Sequence, residues 1–187
     1  MSTIGWRERL DVQAAVTAAK DKCPGVPVVL IGSSMGSAAC AFALAEEWSL
    51  ADGLVLDSSY SKLGNAVPGW WRFLGGVPLQ VLLWPVLPIA AAMARLNVRR
   101  VDVAEALRRV NCPVLVLHGE KDDLAPPSEA ERNLASLPAG TKVVWFQGCG
   151  HTEGRWVYPD VYWQAVKEFV FSINKSTIPL REESKKE

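Results

Sequence analysis

Apolar residues fall along the chain in two rhythms. Four short runs, Val28-Val29-Leu30-Ile31, Gly53-Leu54-Val55-Leu56-Asp57, Pro113-Val114-Leu115-Val116-Leu117 and Lys142-Val143-Val144-Trp145-Phe146, are of strand length and nearly continuous in apolar residues. That pattern marks strands buried on both faces. Helical stretches stand between them. From Trp6 to Ala19, the residues Leu10, Val12, Val16 and Ala19 recur among charges, and Pro24-Gly25 closes that helix ahead of the first strand. Ser37 to Glu47 is a helix of small residues, and Pro126-Pro127-Ser128-Glu129-Ala130-Glu131 opens another, with a capping box from Ser128 to Glu131. A last helix starts at Pro159-Asp160-Val161-Tyr162. Strand alternates with helix, so the pattern predicts an α/β fold with a parallel sheet covered by helices on both faces.

One long interval breaks the alternation. From about Ser61 to Arg109 the chain is rich in bulky apolar residues: Trp70, Trp71, Phe73 and Leu74, then Val77 to Ala94 almost without charge. A membrane span is one reading, but Pro78, Pro85 and Pro88 interrupt the roughly 20 residues a span needs, and Arg95 follows closely. A helical insertion with an apolar underside explains the composition better, and an apolar face touching a membrane surface stays open. The tail from Lys175 to Glu187 is charged and lacks core residues. It reads as disordered.

Composition narrows the function classes. With 187 residues, 49% hydrophobic content and 20 basic against 20 acidic residues, the chain reads as one globular domain, 1–174, without the basic excess that nucleic acid binding requires. Cys23, Cys40, Cys112 and Cys149 are far apart and lack metal-ligand spacing. With no signal peptide in view they read as reduced thiols, and the expected compartment is cytoplasmic. Asn174-Lys175-Ser176 matches a glycosylation acceptor by pattern alone.

The chemistry concentrates where strands end. Gly32-Ser33-Ser34-Met35-Gly36 is a G-x-S-x-G pentapeptide between a buried strand and a small-residue helix, the context of a nucleophile elbow, with Ser34 as the serine. Side chains at Gly32 or Gly36 are expected to collide with neighbouring backbone, and the helix N-H groups to point where an oxyanion forms. The pentapeptide alone fits a glycine- and serine-rich loop without catalytic meaning equally well. A serine needs a base, itself oriented by a carboxylate. His151, in the glycine loop Gln147-Gly148-Cys149-Gly150-His151 after the fourth run, is the candidate base. Asp122, in the turn after His118-Gly119, is the candidate acid; Asp57, at the end of the second run, is a rival for that role. The order Ser, Asp, His is that of the alpha/beta-hydrolase fold. His118 reads as a structural strand-end histidine satisfied by backbone, and Cys149 has no elbow around it.

On these residues the chain resembles the carboxyl-terminal part of alpha/beta-hydrolases, nearest the serine esterase and serine-peptidase-like branch. The resemblance rests on Gly32 to Gly36, Leu56-Asp57-Ser58-Ser59-Tyr60, Cys112-Pro113, His118-Gly119, Asp122, Gly150-His151-Thr152-Glu153, Pro159 to Tyr162 and Val101 to Leu107, and covers about Trp6 to Ile173. It implies Ser34 as nucleophile, Asp122 as acid, His151 as base and the Met35 backbone N-H as one oxyanion donor. The interval 61–109 would be a cap, with no metal or organic cofactor. It also implies an upstream segment, here absent, that carries a neighbouring strand and the second oxyanion donor. The first strand should therefore present an open edge prone to self-association. Ser37 departs from a glycine common in relatives and is expected to be tolerated. The reading is a serine hydrolase cleaving an ester, thioester or amide of a small-molecule or acyl substrate through an acyl-serine intermediate. The alternative is a truncated, weakly active or inactive relative that acts by binding.

Overall fold

The computed structural model describes residues 2–177. Helix α1 (Arg9–Lys22) leads to strand β1 (Val29–Ser33), α2 (Met35–Glu46) and β2 (Gly53–Asp57). The long interval holds α3 (Leu63–Leu83), α4 (Val86–Met93), a 3-10 turn (Val98–Arg100) and α5 (Val103–Leu107). Then come β3 (Val114–Gly119), α6 (Pro127–Leu134), β4 (Lys142–Phe146), α7 (Gly154–Val157) and α8 (Pro159–Thr177). The four strands form one parallel sheet in the order β1-β2-β3-β4. Register sets Ser33 opposite Asp57, Asp57 opposite Leu117 and Gly119 opposite Phe146, so the strands' carboxyl ends line one edge, where open α/β sheets bind ligands.

Alternation within the strands divides the core. Leu54, Leu56, Val114 and Val116 face α1, α2 and α5 through Val16, Phe42, Leu44 and Val103. Val55, Leu115 and Leu117 face Tyr162, Val166 and Phe169 of α8. The sheet is therefore buried on both sides, as the unbroken apolar runs require.

Several boundaries differ from the expectation. Helix α1 begins at Arg9, and of its four apolar positions only Val16 is buried while Leu10 is exposed. The capping box of α6 is absent: Pro127 opens the helix and Pro126 takes the capping position without a side-chain bond, since proline's missing N-H suits a first turn. Helix α8 runs to Thr177, so the expected tail is helical at its start; the rest of it lies outside the described residues. The Asn174-Lys175-Ser176 pattern falls within α8.

The insertion ends earlier than Arg109, because Val101, Val103, Ala106 and Leu107 are buried in the main core. Its two ends meet. Leu63 N-H donates to Val101 O at 3.0 Å and Val103 N-H to Ser61 O at 2.7 Å, and Lys62 pairs with Asp102 at 2.9 Å. Inside it, α3 breaks at Gly75 and Gly76, the latter at φ +69°. Among the described residues no single helix is long and apolar enough to cross a membrane; α3 and α4 meet length and composition together only as a pair bent by 79°. An apolar cavity of about 260 Å³ separates the insertion from the chain's first residues, lined by Ile4, Val67, Trp70, Trp71, Leu87 and Leu96 among others.

Glu8 holds those first residues. Its carboxylate accepts from Thr3 N-H and Thr3 Oγ at 2.8 Å each, from Ser2 Oγ at 2.9 Å and from Gly5 N-H at 3.0 Å. Burial would raise its pKa, but the hydrogen bonds from Thr3 and Ser2 prevail and hold it at about 2. A depressed carboxylate pKa contributes stability that is complete above the ordinary carboxylate range and is lost as pH falls toward 2. The melting temperature of Glu8→Gln should therefore lie below wild type at pH 7, with the gap closing as the pH is lowered from about 4.5 to about 2. A gap that stays constant over that range would remove Glu8 from this role.

Among the described residues β1 pairs on one side only, and Ile31 is 49% exposed. An open, apolar edge strand is a template for association. Sedimentation should find concentration-dependent self-association that Ile31→Lys reduces; a monodisperse wild-type chain would count against it.

Candidate active site

Ser34 is the single residue between β1 and α2, and its backbone sits at φ +51° and ψ −117°, a region non-glycine residues occupy only when their surroundings enforce it. The enforcement is visible. Ser34 N-H donates to Asp57 O at 2.8 Å. Ser37 Oγ, fully buried, donates to Gly32 O at 2.7 Å, lies 3.1 Å from Asp57 O, and accepts from Asp57 N-H at 3.2 Å. Ser37 is thus a brace between the elbow and β2, beyond the mere tolerance expected of it. A side chain at Gly32 would bring its Cβ to 2.5 Å from both Ser37 N and Ser37 Cα, so glycine is obligatory there. At Gly36 the expectation fails: a Cβ there meets nothing within 4 Å, because the residue faces away from the described neighbours.

The loops after β3 and β4 bring the other two candidates to Ser34. Gly119 ends β3, and a Cβ on it would come within 2.5 Å of the carbonyl oxygens of Cys149 and Gly150. Its bareness lets the histidine loop cross the strand end. The two loops then bond directly, Lys121 N-H donating to Cys149 O at 2.8 Å and Glu120 N-H to Phe146 O at 3.1 Å. Asp122 is buried; its Oδ1 accepts from Ala125 N-H at 2.7 Å and Leu124 N-H at 3.0 Å, and its Oδ2 lies 2.8 Å from His151 Nδ1. His151 Nε2 lies 2.9 Å from Ser34 Oγ. With Nδ1-H donating to the carboxylate, Nε2 is left to accept from the serine hydroxyl. The neighbouring Asp123 is exposed.

With that geometry in place, similarity to known proteins is decisive. Residues 3–166 match the alpha/beta hydrolase family. The chain belongs to that family. It is 27% identical over 183 residues to the uncharacterized protein YqkD of Bacillus subtilis (strain 168), covering 94% of this chain and 58% of that relative. The chain thus spans little more than half the length of the curated relative it matches. Among solved structures, the Pyrococcus furiosus esterase Pf2001 superposes with a TM-score of 0.66 at 22% identity, over 92% of this chain and 64% of that one. The esterase RhEst1 from Rhodococcus sp. ECU1013 gives 0.57 at 23%, over 90% and 74%. At these identities the likeness is one of fold.

Other polar residues of this alpha/beta hydrolase surround the three. His118 is buried; its Nε2-H donates to Ala125 O at 2.8 Å, and burial lowers its pKa, so it is the neutral structural histidine expected. Asp57, the rival acid, does not meet His151. Its Oδ2 accepts from Tyr162 Oη at 3.1 Å and Ser33 Oγ at 3.4 Å, with the Arg155 guanidinium at 3.8 Å. Burial pushes its pKa up against the lowering by Tyr162 and Arg155. The sequence gives no sign of Arg155, which donates to Ser33 Oγ at 2.9 Å and to Thr152 O at 3.3 Å, joining the base's loop to β1. Thr152 N-H donates to Ser58 Oγ at 3.0 Å, tying the same loop to the end of β2. Glu129 is buried and accepts from Ser61 N-H at 2.6 Å while paired with Arg132, so α6 anchors the exit from β2. Cys149 is buried, and burial raises its thiol pKa, the opposite of what a thiolate nucleophile needs. Among the described residues no three His, Cys, Asp or Glu side chains converge as a metal cradle.

The two elbow glycines separate cleanly in a test. Gly32→Ala should lower stability by about 3 kcal/mol, whereas Gly36→Ala should lie within about 1 kcal/mol of wild type, as read by chemical denaturation. Equal costs at both positions would contradict the packing described.

Proposed function

We propose that this alpha/beta hydrolase is a serine hydrolase that cleaves an ester, thioester or amide through an acyl-serine intermediate. The observation that carries the reading is the unbroken run of hydrogen bonds from Ser34 Oγ through His151 to Asp122, at 2.9 Å and 2.8 Å. Membership of a hydrolase family supports the reaction class.

In this reading Ser34 Oγ attacks the substrate carbonyl carbon while its proton passes to His151 Nε2. The carbonyl oxygen takes the negative charge and is met by the Met35 N-H. That group opens α2 and so has no carbonyl partner within the helix. Collapse of the tetrahedral species breaks the bond to the leaving group, which receives the proton from His151. A water then gives a proton to His151 and attacks the acyl-serine; the second collapse releases the acid and returns the proton to Ser34. Asp122 fixes the imidazole tautomer through Nδ1 and stabilises its charged form. Arg155 acts as a positioning residue, through Thr152 and Ser33.

A second reading, binding with weak or no turnover, is favoured by one feature: among the described residues Met35 N-H is the one donor assigned to the oxyanion, and a site working with one of two such donors is slower by about 10²–10³.

A fluorophosphonate probe separates the readings. It should label the chain, Ser34→Ala should abolish labelling and Ser33→Ala should retain it. Asp122→Asn should slow hydrolysis of an activated ester by about 10⁴-fold. Labelling that persists in Ser34→Ala overturns the nucleophile assignment; an unlabelled wild-type chain favours binding alone.

A further inference from the structure

Between Ser61 and Val101 stand five basic residues, Lys62, Arg72, Arg95, Arg99 and Arg100, and no aspartate or glutamate, in a protein with 20 basic and 20 acidic residues overall. All five are exposed. Lys62 is paired with Asp102, but among the described residues Arg72, Arg95, Arg99 and Arg100 have no carboxylate within ion-pair distance.

Arg72 lies on α3 and Arg95 just after α4, and this helix pair is apolar on both sides. Trp70, Trp71 and Leu87 turn inward to the cavity, while Leu74, Val81, Leu82, Trp84, Ile89 and Met93 are each more than half exposed. The outward residues follow helical spacing: Val77, Val81 and Trp84 fall at i, i+4 and i+7, and Val86, Ile89 and Met93 at i, i+3 and i+7. A helix apolar all round requires cover on both sides. The inner side has it. The outer side has none among the described residues, and six large apolar side chains each more than half exposed within one helix pair are not the single, scattered exposures normal for a soluble surface.

Charge selects the occupant. Pairing two copies through this face would set the arginines of one patch against the same arginines of the other, because a two-fold contact repeats the patch on both sides. An anionic lipid surface answers both features at once: acyl chains for the leucines and tryptophan, phosphates for the arginines. The 79° bend between α3 and α4 suits helices lying in the interface. We propose that the outer face of α3 and α4 docks this protein on an anionic lipid surface, with Arg72 and Arg95 meeting the headgroups.

Flotation of the whole chain with vesicles tests this. It should bind vesicles of phosphatidylcholine mixed with phosphatidylglycerol and bind pure phosphatidylcholine far less, and added salt should weaken the binding. Arg72→Gln with Arg95→Gln should lower partitioning about tenfold or more. Leu82→Glu with Met93→Glu should abolish it, while circular dichroism and the thermal melt stay as in wild type, since both side chains are exposed. Three results overturn the proposal: no binding to the mixed vesicles, binding unchanged in both double variants, or a lipid-free dimer that Leu82→Glu with Met93→Glu dissolves.

Discussion

The backbone of Ser34 can hold its left-handed conformation only because the end of β2 grips it. Asp57 contributes its carbonyl to Ser34 N-H and its N-H to Ser37 Oγ, so one residue of a fully buried strand fixes both sides of the elbow. The rest of the site inherits that rigidity. Strand β3 is in register with β2 and delivers Asp122, and β4, in register with β3, delivers His151. Each group is placed by a parallel ladder and a short loop. Buried strands are the part of a fold least able to relax, and positioning within a fraction of an ångström needs such support.

Two buried carboxylates sit near the elbow, and their surroundings divide the labour. Asp122 receives two backbone N-H groups and an imidazole, a set of donors that holds one oxygen in the turn and turns the other toward His151. Asp57 receives a phenol, a hydroxyl and a distant guanidinium, and burial pushes its pKa up. It serves instead as the knot that joins β1, β2 and α8. A carboxylate at a strand's end is therefore not interchangeable with one in the following turn, where free N-H groups point back at it.

Much of this was legible in the chain. Continuous apolar runs have one good explanation, burial on both sides of a sheet, and β2 and β4 start and stop where the runs do. The motif Gly32 to Gly36 and the order Ser, Asp, His point to the family that the similarity then bears out. What escaped depends on contacts distant in sequence. No local pattern says that Ser37 will meet Asp57, that Arg155 will reach Ser33, or that Glu129 will turn inward to Ser61. Gly36 misled for the same reason: a motif does not say which neighbours its glycines will meet, and among the described residues a Cβ at Gly36 meets nothing within 4 Å. Helix ends were poorly legible, since α1 begins where Glu8 finishes organising the loop before it.

The insertion leaves and re-enters the core through adjacent backbone, with Ser61, Lys62 and Leu63 facing Val101, Asp102 and Val103. Its two roots are thereby fixed at a constant separation whatever lies between them. Closing a loop across fixed ends costs only about 0.6 kcal/mol more for each doubling of its length. At its roots the segment is accordingly a module whose length can vary at little entropic cost to the sheet or the elbow. A fold with such a socket can change what it recognises while the groups beside Ser34 stay as they are.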